Sequence, residues 1–299
     1  MSSIVEIKNR IASVSDTRKI TNAMYLISSR KLQKARLALE GTRPYLRAVH
    51  EEIAALLIAA DGWGRYLAPA DFQPRAEDEC LCLLVTADRG LAGGYNRALL
   101  HAAEDFFAAH PRTRFLSVGE EGRRLLPTIG CAAEGGALLP SVLPTLDDAR
   151  RVTERLVEPY ESGAVRAVYA IYTDMKNALS ESVVTERLLP VEAAAFSPGV
   201  TPLDTEGTEL FPDAAAVLDA LLRSRLLGCV FGLLTDAFCA EQNARMRAMS
   251  TANDNADELL SALSLEYNRL RQAAITQEIT EVSAGARAQQ SLHSEVYAT

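Results

Sequence analysis

The chain has 299 residues, 48% of them hydrophobic, and a net charge of −8. This length and composition allow a sizeable core and about two domains. The longest uncharged stretch that could enter a membrane, Leu226–Thr235, has ten residues, about half of what a transmembrane helix needs, so a membrane-spanning helix is excluded.

Residues 1–61 predict one long helix, half of a coiled coil. Charges begin at Glu6 and no apolar run follows, so no signal or transit peptide is expected. Apolar residues recur every three or four positions, the spacing of a coiled-coil seam. The first group is Ile4, Ile7, Ile11 and Val14, and after a phase shift the pattern is predicted to resume at Ile20, Met24 and Ile27. Gly41 and Pro44 predict a kink, because proline removes an interior hydrogen bond.

Positive charge is concentrated near the beginning of the chain. Residues 1–47 carry ten lysines and arginines against three acidic residues, which gives +7 and leaves −15 for the remainder. Such separation favours an acidic partner. Nucleic acid and an acidic protein surface both fit, but no aromatic interleaving, zinc spacing or recognised motif supports nucleic acid.

The middle of the chain, residues 75–200, predicts a compact α/β domain. Strands are predicted at Cys80–Thr86, Arg114–Val118, Val165–Thr173 and Val183–Leu189, and helices at Arg97–Ala109 and Leu146–Tyr160. Strands that alternate with helices imply a Rossmann-like domain with a mainly parallel sheet. Cys80–Thr86 is an apolar run, as expected of a strand buried on both faces. From Phe196 to Pro212, glycines and prolines predict a loop.

A glycine-rich turn, Asp88–Asn96, follows the first strand, at the place where dinucleotide-binding folds hold phosphate. Its glycines, Gly90, Gly93 and Gly94, match neither GxGxxG nor GxxxxGK[ST]. A tight strand-to-helix turn that needs positive φ is the simpler interpretation.

The residue pattern assigns no catalytic, cofactor-binding or metal-binding site. The four histidines are scattered without ligand spacing, and the five cysteines are odd in number and lack CxxC spacing. The cysteines favour a reducing, cytoplasmic setting without a metal. Cys80 and Cys82 are predicted to share one face of a strand without forming a pair.

Residues 210–285 predict a second long helix, the other half of the coiled coil, followed by a tail at 286–299. Pro212 and Asp213 suit its first turn. One apolar row runs at spacings of three and four and is predicted to pack antiparallel on the first helix; it consists of Leu260, Leu263, Tyr267, Leu270 and Ala274. A second row on a neighbouring face, Ile275, Ile279 and Val282, packs either on the chain's own domain or on a partner.

At both ends the chain resembles a known family. Ile7–Arg36, IKNRIASVSDTRKITNAMYLISSRKLQKAR, resembles the N-terminal helix of the gamma subunit of F-type ATP synthases. Ala244–Val282, ARMRAMSTANDNADELLSALSLEYNRLRQAAITQEITEV, resembles its C-terminal helix. VTADRGLAGGYN (Val85–Asn96) and LLP (Leu188–Pro190) match its middle domain. The resemblance therefore covers essentially the whole chain, in the right order.

The resemblance implies a non-catalytic rotor subunit. In that family the two terminal helices form an antiparallel coiled coil inside a hexamer of alpha and beta subunits, and the α/β domain meets the membrane-embedded c-ring and the epsilon subunit. Rotation couples ion flow through the ring to ATP synthesis or hydrolysis at the beta subunits. One copy per complex is implied, on the cytoplasmic face of a bacterial cell membrane and attached to it only through these partners, without nucleic acid or a cofactor.

The resemblance also implies contact residues. Met24, Arg271, Gln272 and Thr276 fall on positions that contact the beta subunits, and Ile275, Ile279 and Val282 on positions that touch the hexamer's apolar sleeve. Leu210 and Phe211 fall near the contact with the ring or epsilon. The sequence departs from the family pattern at Asn22, Tyr25, Glu120 and Glu121, and from Gly130 to Pro144.

Two other functions fit the residues taken alone. One is a cytoplasmic coiled-coil scaffold that docks through its α/β domain. The other is a nucleotide-dependent α/β enzyme with helical extensions. Neither explains why both termini match one family.

Overall fold

A computed structural model describes residues 4–59, 64–69, 72–131, 133–137, 143–175, 181–196 and 210–296. Two long helices, α1 (Ile4–Ala59) and α5 (Ala214–Val296), enclose the rest of the chain in sequence. The described residues between them form three shorter α-helices, α2 (Tyr95–Ala109), α3 (Glu120–Leu125) and α4 (Leu146–Glu161), and two 3-10 helices, Leu126–Ile129 and Ala193–Ala195. They also form the strands β1 (Cys80–Val85), β2 (Thr113–Val118), β3 (Ala133–Ala137), β4 (Ala167–Met175) and β5 (Glu181–Leu189).

The five strands form one sheet in the order β3-β2-β1-β4-β5. Strand β1 pairs in parallel with β2 and β4, and β2 pairs in parallel with β3. Only the last pair, β4 with β5, is antiparallel. The predicted α/β domain with a mainly parallel sheet is therefore confirmed.

Side chains of β1 enter two cores on opposite faces of the sheet. Leu81, Leu83 and Val85 join a core shared with α4 and with parts of α1 and α5. Cys80, Cys82 and Leu84 join a second core, shared mainly with α2. Every residue of β1 is buried, as predicted for a strand covered on both faces.

Side chains at the helix starts satisfy free backbone N–H groups. At α4 the Thr145 hydroxyl accepts from the Asp148 N–H and the Asp148 carboxylate accepts from the Thr145 N–H, a capping box. At α5, which begins at Ala214, the Asp213 carboxylate accepts from the Ala216 N–H at 2.8 Å. Pro212 and Asp213 thus precede the helix and do not lie in its first turn as predicted. No helix among the described residues combines the length and the apolar character needed to cross a membrane.

Helix α3 and strand β3 were not predicted from the sequence. Helix α3 has only six residues, EEGRRL, and β3 has five, AEGGA. Neither is long enough to show a hydrophobic period, and glycine is a poor strand former. The predicted loop from Phe196 to Pro212 falls, for residues 197–209, outside the described residues.

The chain divides into two compact units, and their bounds differ from the predicted domains. Unit 1 consists of Met1–Tyr25 and Met249–Thr299, and unit 2 of Leu26–Ala248. The inner parts of both long helices belong to unit 2 because their apolar residues complete the core on one face of the sheet. Helix α1 continues through Gly41 and Pro44 as one helix, and α5 continues past residue 285 to Val296.

Candidate partner-binding surface

In unit 1, α5 buries one face. Between residues 254 and 287 the side chains that are not fully exposed recur at spacings of four and three. They are Ala256, Leu260, Leu263, Tyr267, Leu270 and Ala274. The predicted row is therefore confirmed as a coiled-coil seam, and Ala256 extends it by one position.

Helix α1 presents a matching seam in unit 1, but not along the predicted path. The buried or half-buried heptad positions are Ile4, Ile7, Ile11, Val14, Thr21 and Tyr25. Arg18 fills the remaining position between Val14 and Thr21. The predicted phase shift to Ile20, Met24 and Ile27 is wrong, because Ile20 is 62% exposed and Ile27 is 55% exposed. The seam keeps its period by using polar residues, which a search for apolar residues passes over.

Polar contacts show the direction in which the two helices run. Arg18 Nε lies 2.8 Å from Asp257 Oδ1, and the Thr21 hydroxyl donates to Asn253 Oδ1. Residue numbers rise along α1 while they fall along α5, so the helices are antiparallel. This confirms that the two termini pair, as predicted.

Beyond its seam, α5 of unit 1 carries an exposed row, which we call the outer row: Leu265, Gln272, Ile275, Ile279 and Val282. Its members lie seven, three, four and three residues apart and so share one helix face. The exposed fractions are 62% for Leu265, 47% for Ile275, 62% for Ile279 and 74% for Val282. Within the described residues of unit 1, neither helix covers these side chains. A row of exposed aliphatic side chains is a candidate interaction surface.

The polar residues assigned by resemblance lie on or beside the outer row. Arg271, Gln272 and Thr276 are exposed, and Met24 is half-buried on α1. The Thr276 hydroxyl donates to the Gln272 carbonyl at 2.8 Å, which satisfies it within its own helix. The arginine and amide side chains are thus the groups best placed to reach a partner. Sequence reasoning missed Leu265, whose spacing of seven from Gln272 could have revealed it.

A polar hollow of about 330 Å³ lies between the two helices of unit 1. It is lined by Ser15, Arg18, Lys19 and Asn22 of α1 and by Asn253 of α5. The Lys19 ammonium also lies 2.9 Å from Asp16. The hollow gives the basic N-terminal segment a recessed surface suited to an acidic side chain.

Leu210 and Phe211 of unit 2 differ in accessibility although they are neighbours. Phe211 is 91% exposed, whereas Leu210 is half-buried and packs against the core that α4 shares. Only the phenylalanine ring therefore offers a large apolar surface to another molecule.

The glycine-rich turn after β1 has the predicted backbone. Gly93 has φ of 59°, and Leu91 has φ of 64°, which is unusual for a residue with a side chain. The predicted positive φ is confirmed, although the sequence did not indicate that a leucine would adopt it. In the part of the chain that the structure describes, no three His, Cys, Asp or Glu side chains form a cluster that could hold a metal ion.

Burial accounts for the state of the cysteines. All five are free, so Cys80 and Cys82 share a strand face without pairing, as predicted. Burial raises the pKa of Cys80 to about 11 and that of Cys82 well above its ordinary value. These thiols are therefore packing residues and not reactive ones.

Known proteins are similar to this chain along nearly its whole length. The family model described as ATP synthase matches residues 3–289. The ATP synthase gamma chain of Caldanaerobacter subterraneus is 36% identical over 292 residues, which cover 94% of this chain and 98% of that relative. The ATP synthase gamma chain of Ruminiclostridium cellulolyticum is 38% identical over 290 residues, which cover 95% and 97%.

Solved structures with the same fold are also known. The rotor of the Euglena gracilis mitochondrial ATP synthase has a TM-score of 0.62 at 15% identity and covers 91% of this chain and 98% of that one. A central stalk and c-ring structure from Tetrahymena thermophila has a TM-score of 0.57 at 19% identity and covers 78% and 99%. At these identities the likeness supports the fold and nothing more.

Proposed function

This chain belongs to the ATP synthase gamma chain family, and on that basis we propose that it is the central-stalk rotor subunit of a rotary F-type ATP synthase. In this role it couples ion flow through a membrane ring to ATP synthesis or hydrolysis at the beta subunits, without catalysing the reaction itself. The family expected from the two terminal motifs is thereby confirmed.

The two-sided helix pair of unit 1 is the observation that carries this proposal. Its seam buries Leu263 and Ile7 within the chain, while the outer row leaves four large aliphatic side chains in solvent. Exposing them is unfavourable by about 25 cal/mol per Å² of apolar surface, so a partner that covers them gains free energy. An apolar sleeve formed by a hexamer of alpha and beta subunits meets this requirement.

The polar residues around the outer row supply contacts to the beta subunits in this proposal. Arg271, Gln272 and Thr276 lie beside the aliphatic side chains of the row, and Met24 lies on the partner helix of the same unit. Polar contacts at such an interface select one orientation, because a misplaced charge or amide loses its hydrogen bonds. A shaft that presents different faces in turn needs this kind of selectivity.

The basic N-terminal segment fits acidic loops of the beta subunits. The hollow around Arg18, Lys19 and Asn22 is open to a carboxylate side chain. Opposite charges on two such surfaces speed their association and favour the correct pairing.

Unit 2 provides the contact with the epsilon subunit and the c-ring in this proposal. The support is the exposed Phe211 ring, which falls where the family resemblance expects this contact. The subunit then lies peripherally on the cytoplasmic face of the bacterial cell membrane and reaches the membrane only through its partners, with one copy per complex.

Co-assembly with the partner subunits tests the proposed function. The chain is co-expressed with the alpha, beta, epsilon and membrane subunits of the same genome, and ATP-driven ion pumping is measured in membrane vesicles. We expect the chain to co-purify with the alpha and beta subunits and pumping to require it. Vesicles that pump equally well without the chain would exclude the rotor function.

A charged variant of the outer row makes the test specific. Ile279→Asp is expected to abolish co-purification while leaving the thermal unfolding of the chain unchanged, because residue 279 is exposed. Leu146→Asp is the matched control, since Leu146 is an exposed aliphatic side chain in unit 2 and acid is favourable at the first turn of α4. Equal co-purification of both variants would contradict the contact assigned to the row.

A further inference from the structure

Within unit 2, one segment of α5 is buried on all sides. Every residue from 237 to 244 is buried. Phe238 and Cys239 pack with Leu32 and Ala35 of α1, whereas Ala240 and Ala244 join the core on the α2 face of the sheet. This segment therefore lies between α1 and the α/β domain.

Three consecutive polar residues interrupt this buried segment. Glu241, Gln242 and Asn243 are 3%, 2% and 3% exposed. Burying polar and charged groups is unfavourable even when they are paired, and apolar residues of similar volume are often neutral or stabilising replacements. Packing alone thus gives no reason for these three side chains, and their contacts must be considered.

The first contact joins α5 to the turn after β1. Arg245 Nη1 lies 2.6 Å from Glu241 Oε1, so the buried carboxylate is paired. Arg245 Nη2 donates to the carbonyl oxygens of Arg89 and Gly90 at 3.3 and 3.4 Å. The guanidinium thereby ties α5 to the turn in which Leu91 adopts positive φ.

The second contact joins α5 to the start of β5. Asn243 Nδ2 donates to Glu181 Oε2 at 3.4 Å, and Arg247 Nη2 donates to Glu181 Oε1. Tyr95, at the start of α2, adds a third contact through its hydroxyl, which donates to the Ala237 carbonyl at 3.1 Å. We call this set the clasp; it consists of Glu241, Asn243, Arg245 and Arg247 of α5 with Glu181, Tyr95 and the carbonyls of Arg89 and Gly90.

The clasp differs in kind from the apolar packing around it. The hydrophobic effect is non-directional, and close packing resists movement of the helix without selecting one register as strictly as hydrogen bonds do. Hydrogen bonds weaken steeply with distance and angle, and the two bonds from Arg245 Nη2 already lie near the upper limit of length. A shift of one residue along the helix, about 1.5 Å and 100°, would break all of the clasp contacts. Buried polar groups that fix helix register are a known use of this costly arrangement.

We propose that the clasp is the contact through which torque passes between α5 and the α/β domain, with Arg245 and Glu181 as positioning residues. This inference rests on the proposed rotor function, since only a loaded shaft needs a directional lock at this point. One arm of this lock consists of Glu241 and Arg245 with the backbone carbonyls of Arg89 and Gly90. The other arm is the carboxylate of Glu181, which accepts from Asn243 and Arg247.

Two changes to the clasp test the inference in the assembled, membrane-bound complex. Glu241→Gln with Arg245→Gln removes both buried charges together and so leaves neither unpaired. Arg247→Ala opens the second arm at a half-exposed side chain, where folding is least at risk, and Arg247→Lys restores a cation to Glu181. Arg150→Ala is the control, because Arg150 Nη1 lies 3.9 Å from Asp147 Oδ1 of its own helix and Arg150 forms no ion pair with another element among the described residues.

The measurements are ATP hydrolysis and the number of ions pumped per ATP against an imposed gradient. We expect each clasp variant to hydrolyse ATP within twofold of the parent and to pump at most half as many ions per ATP, with recovery in Arg247→Lys. If Arg247→Ala pumps as many ions per ATP as Arg150→Ala, the inference is overturned. If the double variant does not assemble, the result for Arg247→Ala decides the question. If the parent and Arg150→Ala also fail to pump, the proposed function is at fault and not the clasp.

Discussion

At the scale of single residues, Arg18 occupies a seam position of α1 where an apolar side chain would bury more surface. Its Nε lies 2.8 Å from Asp257 Oδ1, and both side chains are about half exposed. An exposed ion pair contributes only about 0–1 kcal/mol, so its effect on stability is small. However, only one alignment of α1 and α5 brings these two charges together. The pair therefore selects the register of the helices in unit 1.

Tyr66 makes a contribution to stability that depends on pH. Its side chain is buried, and burial, together with the hydrogen bond and charge of Glu161, raises its pKa from 10.0 to about 12. The folded state thus favours the neutral phenol, so this stabilisation is complete below pH about 10 and is lost as the pH rises towards 12.

We expect Tyr66→Phe to lose less stability than the parent between pH 10 and 12, because phenylalanine has no proton to lose. The midpoint of urea unfolding, followed by circular dichroism at several pH values, measures this difference. Parallel declines in the two proteins would show that Tyr66 titrates alike in the folded and unfolded chains.

At the scale of elements, Leu263 and Leu265 separate the two faces of α5 in unit 1. Leu263 is 7% exposed on the seam, whereas Leu265 is 62% exposed on the outer row. Truncating a buried leucine to alanine costs about 2–5 kcal/mol, while exposed positions change stability by about 0.5 kcal/mol or less. We expect Leu263→Ala to lower the free energy of unfolding by about 2 kcal/mol or more and Leu265→Ala to leave it nearly unchanged.

Chemical unfolding of the full chain, followed by helical circular dichroism, measures both variants under identical conditions. The leucines differ in burial and lie on the same helix two residues apart, so each serves as the control for the other. Equal losses of stability would mean that α5 does not pack by the seam containing Leu263.

Periodicity predicted the elements that have a period and failed where it has none. The strand Cys80–Val85 and the seam of α5 repeat one residue type at fixed spacing, and both were found from the sequence. The seam of α1 was followed only to Val14, because Arg18 and Thr21 become seam residues through partners on α5 that are more than 200 positions away. The clasp could not be predicted for the same reason, because its polar residues on α5 are recognised only by their contacts with the turn after β1 and with strand β5.

The candidate site was predictable in part. Spacing alone located Ile275, Ile279 and Val282 on one face and left open whether the chain or a partner covers it. Within the described residues of unit 1, these side chains are exposed. The identity of the partner depends on the family, and the individual contacts of Met24, Arg271, Gln272 and Thr276 remain predictions.

At the scale of the whole molecule, charge and apolar surface are distributed as an interaction protein requires. The first 47 residues carry +7 and the remainder −15, so acidic and basic partners can recognise different parts of one chain. Unit 1 combines the basic hollow with the outer row, and unit 2 contains the sheet and the exposed Phe211. Each unit thus has its own surface for partners.

Arg271 and Gln272 provide the test of coupling in the complete complex. Both side chains are exposed in the isolated chain, so replacing both by alanine is expected to leave its unfolding unchanged. A buried interface charge or amide that loses its partner costs about 2–5 kcal/mol, and about 1.4 kcal/mol corresponds to a factor of ten. We therefore expect the double variant to assemble and to lower ATP turnover by about tenfold or more.

Gln277→Ala is the matched control for that measurement. Gln277 is exposed on the same helix and donates to Glu281 at 2.9 Å, but it lies on the flank away from the outer row. Its removal is expected to leave ATP turnover close to the parental rate, because no contact with the beta subunits is assigned to it. A double variant that assembles normally and turns over ATP at the parental rate would show that Arg271 and Gln272 are ordinary surface residues. An equal loss of turnover in the double variant and in Gln277→Ala would place the contact along the whole helix surface and not on the outer row.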